Sequence, residues 1–96
     1  MTVKIKEFDT ANYLDSDEMI VEYLKVAAED KNLEVFLAAL GDVARAKGMT
    51  EVAKRTGFGW ESLFKALRPG SQPQYQTISS VLRAIGVKIT FTKENA

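Results

Sequence analysis

Glycine and proline residues divide the second half of this 96-residue chain into short segments, and this division constrains the fold more than any other feature. Each segment begins with a polar cap, a glycine or a proline and ends at a glycine or a Pro-Gly pair. Starts and stops of these kinds are typical of α-helices. The pattern predicts three short helices, over 50–56 (Thr50 as cap, Gly57 as stop), 59–68 (stop at Pro69-Gly70) and 73–85 (stop at Gly86).

Two longer amphipathic helices are predicted ahead of them, over 17–29 and 33–47. Asp15 or Ser16 is the predicted cap of the first helix, and Asn32 that of the second. Apolar residues of 17–29 share one face at helical spacing, and acidic residues dominate the opposite face. Apolar residues of 33–47 cover most of the circumference, so we expect this helix to be central and largely buried.

Residues 3–6 and 87–92 alternate between apolar and polar side chains, which predicts a short strand near each terminus. A lone strand is not stable in water, so these two could pair with each other or with a second copy of the chain. The predicted fold class is therefore mainly α, a bundle of about five helices with short terminal β-strands. At 96 residues the chain is expected to form one domain, 1–96.

The formal net charge is zero, but the two signs are divided along the chain. Residues 1–44 contain four lysines and ten acidic residues, which gives a net charge of −6. Residues 45–96 contain nine basic and three acidic residues, which gives +6. Such an asymmetry suggests two surfaces with different partners.

Residues 49–68 fit the pattern of a helix-turn-helix unit, a common reader of the DNA major groove. Ala53 is small where the two helices would cross, Gly57 lies at the turn, and Leu63 would pack back against the first helix. On a helical wheel, Leu63, Ala66 and Leu67 form the core face of the second helix. The opposite arc is the predicted DNA-facing surface, which consists of Trp60, Glu61, Phe64, Lys65 and Arg68.

Each member of this arc has an expected contact. Lys65 and Arg68 would reach guanine edges or phosphates, and Glu61 would accept a hydrogen bond from cytosine. Phe64 is as consistent with a core position as with a DNA-facing one, whereas the place of Trp60 in the first turn favours exposure. Phosphate contacts that fix the register are expected from helix ends and loops, at Thr50, Lys54, Arg55, Ser71 and Gln72.

The region from about 33 to 92 resembles the lambda-repressor-like, Xre-type helix-turn-helix domain. The whole chain is similar to the probable addiction module antidote protein family, whose members are HigA-like antitoxins. The resemblance rests on ALGDVARAKGM, on LFKAL, on the loop that closes at Pro73 and on LRAIG. The chain departs from the family pattern at Gly59, Trp60 and Gln72, which affects the DNA sequence that would be read more than the fold.

This resemblance implies the antitoxin of a type II toxin–antitoxin operon. Such a protein neutralises a cognate mRNA-cleaving toxin, here of the RelE/HigB-like kind, and represses its own operon as a homodimer on operator DNA. Residues 1–31 would then be the toxin-facing segment, because an acidic surface suits a basic RNA-cleaving partner, and 32–92 the DNA-binding domain. The alternative is a stand-alone helix-turn-helix regulator, for example of phage origin, without a toxin partner.

The chain contains no cysteine and no histidine. These absences remove thiolate and imidazole metal ligands and the commonest general acid or base, so we expect no metal, no cofactor and no enzymatic activity. No apolar run approaches the ~20 residues of a membrane span, and the first residues lack the apolar stretch of a signal peptide. The sequence therefore predicts a cytoplasmic protein that does not enter a membrane.

Overall fold

The computed structural model describes residues 16–68 and 70–94. Within them the chain forms five α-helices, which confirms a mainly helical fold with about five helices. The helices are α1 (Asp17–Ala28), α2 (Leu33–Lys47), α3 (Met49–Thr56), α4 (Trp60–Ala66) and α5 (Tyr75–Ala84).

Side-chain caps determine where α1 and α2 begin. The Ser16 hydroxyl accepts a hydrogen bond from the Met19 amide at 3.2 Å, and the Asn32 side chain accepts one from the Glu34 amide at 3.0 Å. These bonds satisfy amides that a helix start leaves unpaired. The predicted bounds of α2 are confirmed, and α1 ends one residue earlier than predicted, with Glu29 as its C-cap.

One hydrophobic core joins all five helices, and α2 lies at its centre because it packs against α1 on one side and α3 on another. Leu40, Val43 and Leu63 are fully buried there. The expectation that α2 is central and largely buried holds for its middle and end but not for its beginning. Leu33 and Val35 are exposed, since the neighbouring α1 covers only one face of this part of the helix.

A single residue connects α2 to α3. Gly48 is both the C-cap of α2 and the N-cap of α3. Its φ is +102°, a backbone conformation that residues other than glycine rarely adopt. The prediction that Thr50 caps this helix is wrong. Because α3 begins already at Met49, Thr50 lies exposed within its first turn, and no side chain caps the start.

Both remaining helices are shorter than predicted. Helix α4 ends at Ala66 rather than 68, since the Ser71 hydroxyl donates a hydrogen bond to the Ala66 carbonyl at 2.6 Å and the chain turns away. Arg68 therefore lies beyond the helix on which the wheel placed it. Helix α5 begins at Tyr75 rather than 73, and Tyr75, predicted on its apolar face, is exposed.

The predicted C-terminal strand 87–92 is not confirmed: residues 87–94 have no strand partner in the described part of the structure. Val87 and Ile89 nonetheless pack partly buried against the core, as the alternation predicts. A strand also needs a hydrogen-bonded neighbour, which an alternating sequence cannot supply by itself. The N-terminal strand predicted at 3–6 lies outside the described residues.

Candidate functional site

A three-residue turn, 57–59, holds α4 against α3. Gly57 adopts φ of +81°, in the left-handed region that glycine tolerates best. The Thr56 hydroxyl stabilises the turn, because it donates to the Ala53 carbonyl at 3.1 Å and accepts from the Phe58 amide at 3.2 Å. Ala53 and Leu63 are buried, so the two helices pack closely as one unit, the α3–α4 unit (residues 49–66).

The outer face of α4 carries two aromatic rings. Trp60 and Phe64 stack with their centroids 5.3 Å apart and their planes only 6° from parallel. The two residues are 50% and 43% exposed, so the ambiguity over Phe64 is settled in favour of the surface. Stacking one turn apart gives α4 a firm apolar ridge, with the exposed side chains of Glu61 and Lys65 on the same helix.

The predicted cations differ in what they contact. Lys54, Lys65 and Arg68 are exposed and form no ion pair with any described residue. Arg55 instead pairs with Glu51 at 3.0 Å and donates to the Ala84 carbonyl at 3.4 Å, which ties α3 to α5. The structure therefore leaves three of the four predicted basic side chains available to an anionic partner.

The predicted polar contacts are also divided. Thr50 and Gln72 are exposed, on the first turn of α3 and on the loop before α5. The Ser71 hydroxyl is already used in its bond to the Ala66 carbonyl, and its amide bonds to the Arg68 carbonyl at 3.1 Å. Its predicted role at phosphate would require this loop-closing bond to be exchanged.

Sequence reasoning missed Arg45 of α2. A depression of about 140 Å³ lies between α2 and α4, and Arg45, Phe64 and Arg68 line it together with Met49. Arg45 is held by Asp42, with 2.6 Å between its guanidinium and the carboxylate. The sequence did offer one signal for this ion pair: Asp42 and Arg45 are three residues apart on the narrow polar strip of α2. The proximity of Arg45 to α4, however, depends on tertiary packing.

Asp42 also binds Tyr23 of α1. The sequence pattern had placed Tyr23 on the apolar face of α1 and gave no sign of this bond. The Tyr23 hydroxyl donates to the second carboxylate oxygen at 2.8 Å. Burial, followed by this hydrogen bond, raises the pKa of Tyr23 from 10.0 to about 12. Asp42 thus joins a residue of α1 to the Arg45 guanidinium beside α4.

A second, acidic surface is a groove of about 530 Å³ between α1 and α2, which Tyr23 also lines. Val26, Ala27 and Val35 give it an apolar lining, and Glu22 and Asp30 stand at its rim. Val26 is 62% exposed and Leu33, close in sequence, 77%. Further exposed acidic residues on α1, in the loop after it and at the start of α2 extend the negative charge: Asp17, Glu18, Glu29 and Glu34.

The described residues provide neither a metal site nor a membrane-spanning helix. No group of acidic side chains there could hold a metal ion. No helix in that part of the chain has the length and apolar character needed to cross a membrane. What the structure offers is an aromatic surface on α4 with exposed cations on it and just beyond it, and an acidic, aliphatic groove between α1 and α2.

Comparison with known proteins yields one family and a relative. A sequence model described as "Probable addiction module antidote protein" matches residues 4–93. An uncharacterised protein of Haemophilus influenzae is 39% identical over 88 residues, which cover 92% of this chain and 91% of that protein. No solved structure matches the chain.

Proposed function

Because the chain belongs to the probable addiction module antidote protein family, we propose that it is the antitoxin of a type II toxin–antitoxin operon. In this role it binds and neutralises an mRNA-cleaving toxin of the RelE/HigB-like kind, and it binds operator DNA to repress its own operon. It acts by binding alone, without metal, cofactor or catalysis. The observation that carries the antitoxin role is the family match over nearly the whole chain.

The DNA-binding role is supported by the α3–α4 unit, which we interpret as a lambda-repressor-like helix-turn-helix. Its tight turn presents α4 with an exposed aromatic ridge, and Lys65 on the helix and Arg68 just beyond it form no ion pair with a described residue, which suits a helix in the major groove. Lys65 and Arg68 would contact guanine edges or phosphates, and Glu61 would accept from cytosine. Trp60 and Phe64 would supply apolar contacts, for example to thymine methyl groups.

Phosphate contacts would surround this ridge. Thr50, Lys54 and Gln72 are exposed and could bind the backbone on either side of α4. Arg45, at the edge of α4, would add a cation that the sequence pattern did not indicate. Two copies of the chain would place their α4 helices in successive major grooves, about 34 Å apart, on a palindromic operator.

A gel-shift titration with the DNA upstream of the operon tests this role. We expect Lys65→Ala and Arg68→Ala each to weaken binding by about 1–3 kcal/mol if the residue reads a base. Lys54→Ala would weaken binding to all sequences alike and lower the salt dependence by about one counterion, as a phosphate contact does. Lys31→Ala, which removes one positive charge from the loop between α1 and α2, is the matched control. If neither Lys65→Ala nor Arg68→Ala alters the shift, α4 is not the DNA-binding surface.

The toxin-binding role is supported by the groove between α1 and α2. A basic RNA-cleaving protein would bring positive charge to its acidic rim, while an apolar side chain would fill the part lined by Val26 and Val35. Opposite charge at the rim would speed association and exclude acidic partners. This surface is separate from the α4 ridge, so one molecule could engage toxin and DNA through different residues.

Co-expression with the product of the neighbouring gene, followed by co-purification, tests this second role. Val26→Lys places a charge in the groove and is expected to abolish co-purification. Ala28→Lys adds the same charge on an exposed position of α1 that does not line the groove, and should leave binding unchanged. If Val26→Lys co-purifies as well as the wild type, the groove is not the toxin site. If the wild-type chain retains no partner, the stand-alone regulator is favoured.

A further inference from the structure

The segment that follows α5, residues 87–94, has no regular secondary structure in the described part of the chain. The Val87 amide donates a hydrogen bond to the Leu82 carbonyl at 2.9 Å. After it, the backbone of residues 88–91 makes no hydrogen bond with any described residue. Val87 and Ile89 rest partly buried against the core, while Lys88 and Thr90 are exposed. The segment therefore has the alternating burial of a half-buried strand, and its backbone groups have no partner among the described residues, which makes it a template for pairing with another chain.

Phe91 breaks the pattern of burial. It follows Val87 and Ile89 at the period of two that puts strand residues on one face, yet it is 87% exposed. No described residue therefore covers this phenyl ring, although it is in phase with two residues that pack on the core.

A depression of about 460 Å³ lies beside the same segment. Tyr75, Ser79 and Arg83 line one side of it, at successive turns of α5, and Val87 and Ile89 line the other. These residues can bind a phenyl group, because the ring can stack on Tyr75 while the Arg83 guanidinium lies over its face.

We propose that residues 87–91 of two copies of the chain pair as antiparallel strands, and that Phe91 of each copy fills the depression beside α5 of the other. The register follows from the side chains. Centred on Ile89, it places Val87 opposite Phe91 of the other copy and Lys88 opposite Thr90. Apolar residues thus meet apolar ones, and the two lysines are kept apart, whereas a parallel pairing in register would set Lys88 beside its own copy.

The same register explains why the ring and the depression match. A residue opposite Val87 on the same face lies next to the wall that Val87 contributes to the depression. Antiparallel pairing of identical segments is isologous, so one two-fold axis satisfies both copies at once. The interface deepens the proposed function and rests on it only for its purpose, because a palindromic operator needs two α4 helices.

Oligomeric state, measured by light scattering on the full chain without DNA, tests the proposal. The wild-type chain is expected to be a dimer at micromolar concentration, and Phe91→Asp a monomer with the same helical content. Helical content should be kept because the ring is exposed in the single chain. Leu33→Asp, which changes another highly exposed apolar residue at the start of α2, should remain a dimer. A monomeric wild type, as expected if residues 3–6 of the same chain pair with this segment, or a dimeric Phe91→Asp overturns the proposal.

Disulfide trapping tests the register, since the chain has no cysteine of its own. A mixture of Lys88→Cys and Thr90→Cys chains should cross-link under mild oxidation faster than either variant alone, because opposite positions lie within disulfide reach. Equal rates in all three samples would overturn the pairing.

A final pair of variants separates this interface from the proposed function. Lys65→Ala should weaken operator binding and leave the dimer intact, whereas Phe91→Asp should weaken operator binding because the dimer is lost. A wild-type dimer that dissociates with Phe91→Asp but binds no operator would support the interface and refute the DNA-binding role. A Phe91→Asp variant that is still a dimer and still binds the operator would refute the interface and support the DNA-binding role.

Discussion

The α4 ridge and the groove between α1 and α2 both expose apolar side chains, but their surroundings differ. On α4, two stacked aromatic rings share the surface with Glu61 and Lys65, and neither Lys65 nor Arg68 just beyond the helix forms an ion pair with a described residue. In the groove, aliphatic side chains are bordered by carboxylates. Exposed apolar area alone would not separate these surfaces, and the sign of the neighbouring charge distinguishes an anionic partner from a basic one. The net charge of zero conceals this division.

The largest effect is expected from a change in the hydrophobic core on which both surfaces are built. Leu63 is fully buried and joins α4 to the core that α1 and α2 also form. We expect Leu63→Ala to lower the free energy of unfolding by about 2–5 kcal/mol, since a cavity would remain beneath α4. Urea denaturation measures the loss. A loss below about 1 kcal/mol would mean that α4 is not packed as described.

The aromatic ridge should affect DNA binding without affecting the toxin. Trp60→Ala and Phe64→Ala are each expected to lower operator affinity roughly tenfold, about 1.4 kcal/mol. Stability should fall by only about 0.5–1.5 kcal/mol, because half-exposed rings lose little more than their stacking. Gel-shift titrations and co-purification of the neighbouring gene product measure the two effects. Equal losses of DNA and toxin binding would show that the surfaces are not separate.

Tyr23 provides a test on the groove side. Tyr23→Phe removes the hydrogen bond to Asp42 and should cost about 1 kcal/mol of stability at neutral pH. The pKa of Tyr23 is raised to about 12 in the folded chain, so its stabilising effect is fully present below pH 10 and is lost between pH 10 and 12.

The stability difference between the wild type and Tyr23→Phe should therefore shrink over that interval, as thermal melts across the range would show. Comparing the two proteins at each pH cancels the titration of the lysines. A constant difference from pH 9 to 12 would contradict the assigned hydrogen bond.

The smallest effect is expected where the acidic helix meets the end of α2. Lys47 lies 3.5 Å from the Asp17 carboxylate, and the Asp17 side chain is largely exposed. Lys47→Met should change the free energy of unfolding by less than about 0.5 kcal/mol, since exposed ion pairs are worth little. Urea denaturation at low and high salt measures it. A larger, salt-sensitive loss would mean that charge contributes to holding α1 in place.

The sequence predicted the helices best where the signals are local. Ser16 and Asn32 cap their helices through bonds to amides two or three residues away, so α1 and α2 were placed within one residue. The end of α4 was missed because it depends on the Ser71 hydroxyl, which reaches back five residues to the Ala66 carbonyl. A strand was predicted at 87–92 but does not form in the described part of the single chain, because alternation describes burial and not the hydrogen-bonded partner that defines a strand.

The candidate site shows the same division between local and tertiary information. The exposed arc of α4 follows from helical periodicity, and Trp60, Phe64 and Lys65 lie on it as predicted. Arg45 reaches this region only because α2 passes beside α4, and Tyr23 meets Asp42 only because α1 packs on α2. These contacts join residues distant in sequence, so no periodicity in a single helix could reveal them.

The connection through Gly48 determines how force and insertions act on the molecule. With one residue between α2 and α3, two dihedral angles fix the direction of the α3–α4 unit relative to the core helix. There is no slack to absorb a pull on α4, so a load applied there is transmitted directly to α2. One residue inserted at this point would redirect the whole unit, whereas the loop between α4 and α5 has length to accommodate it.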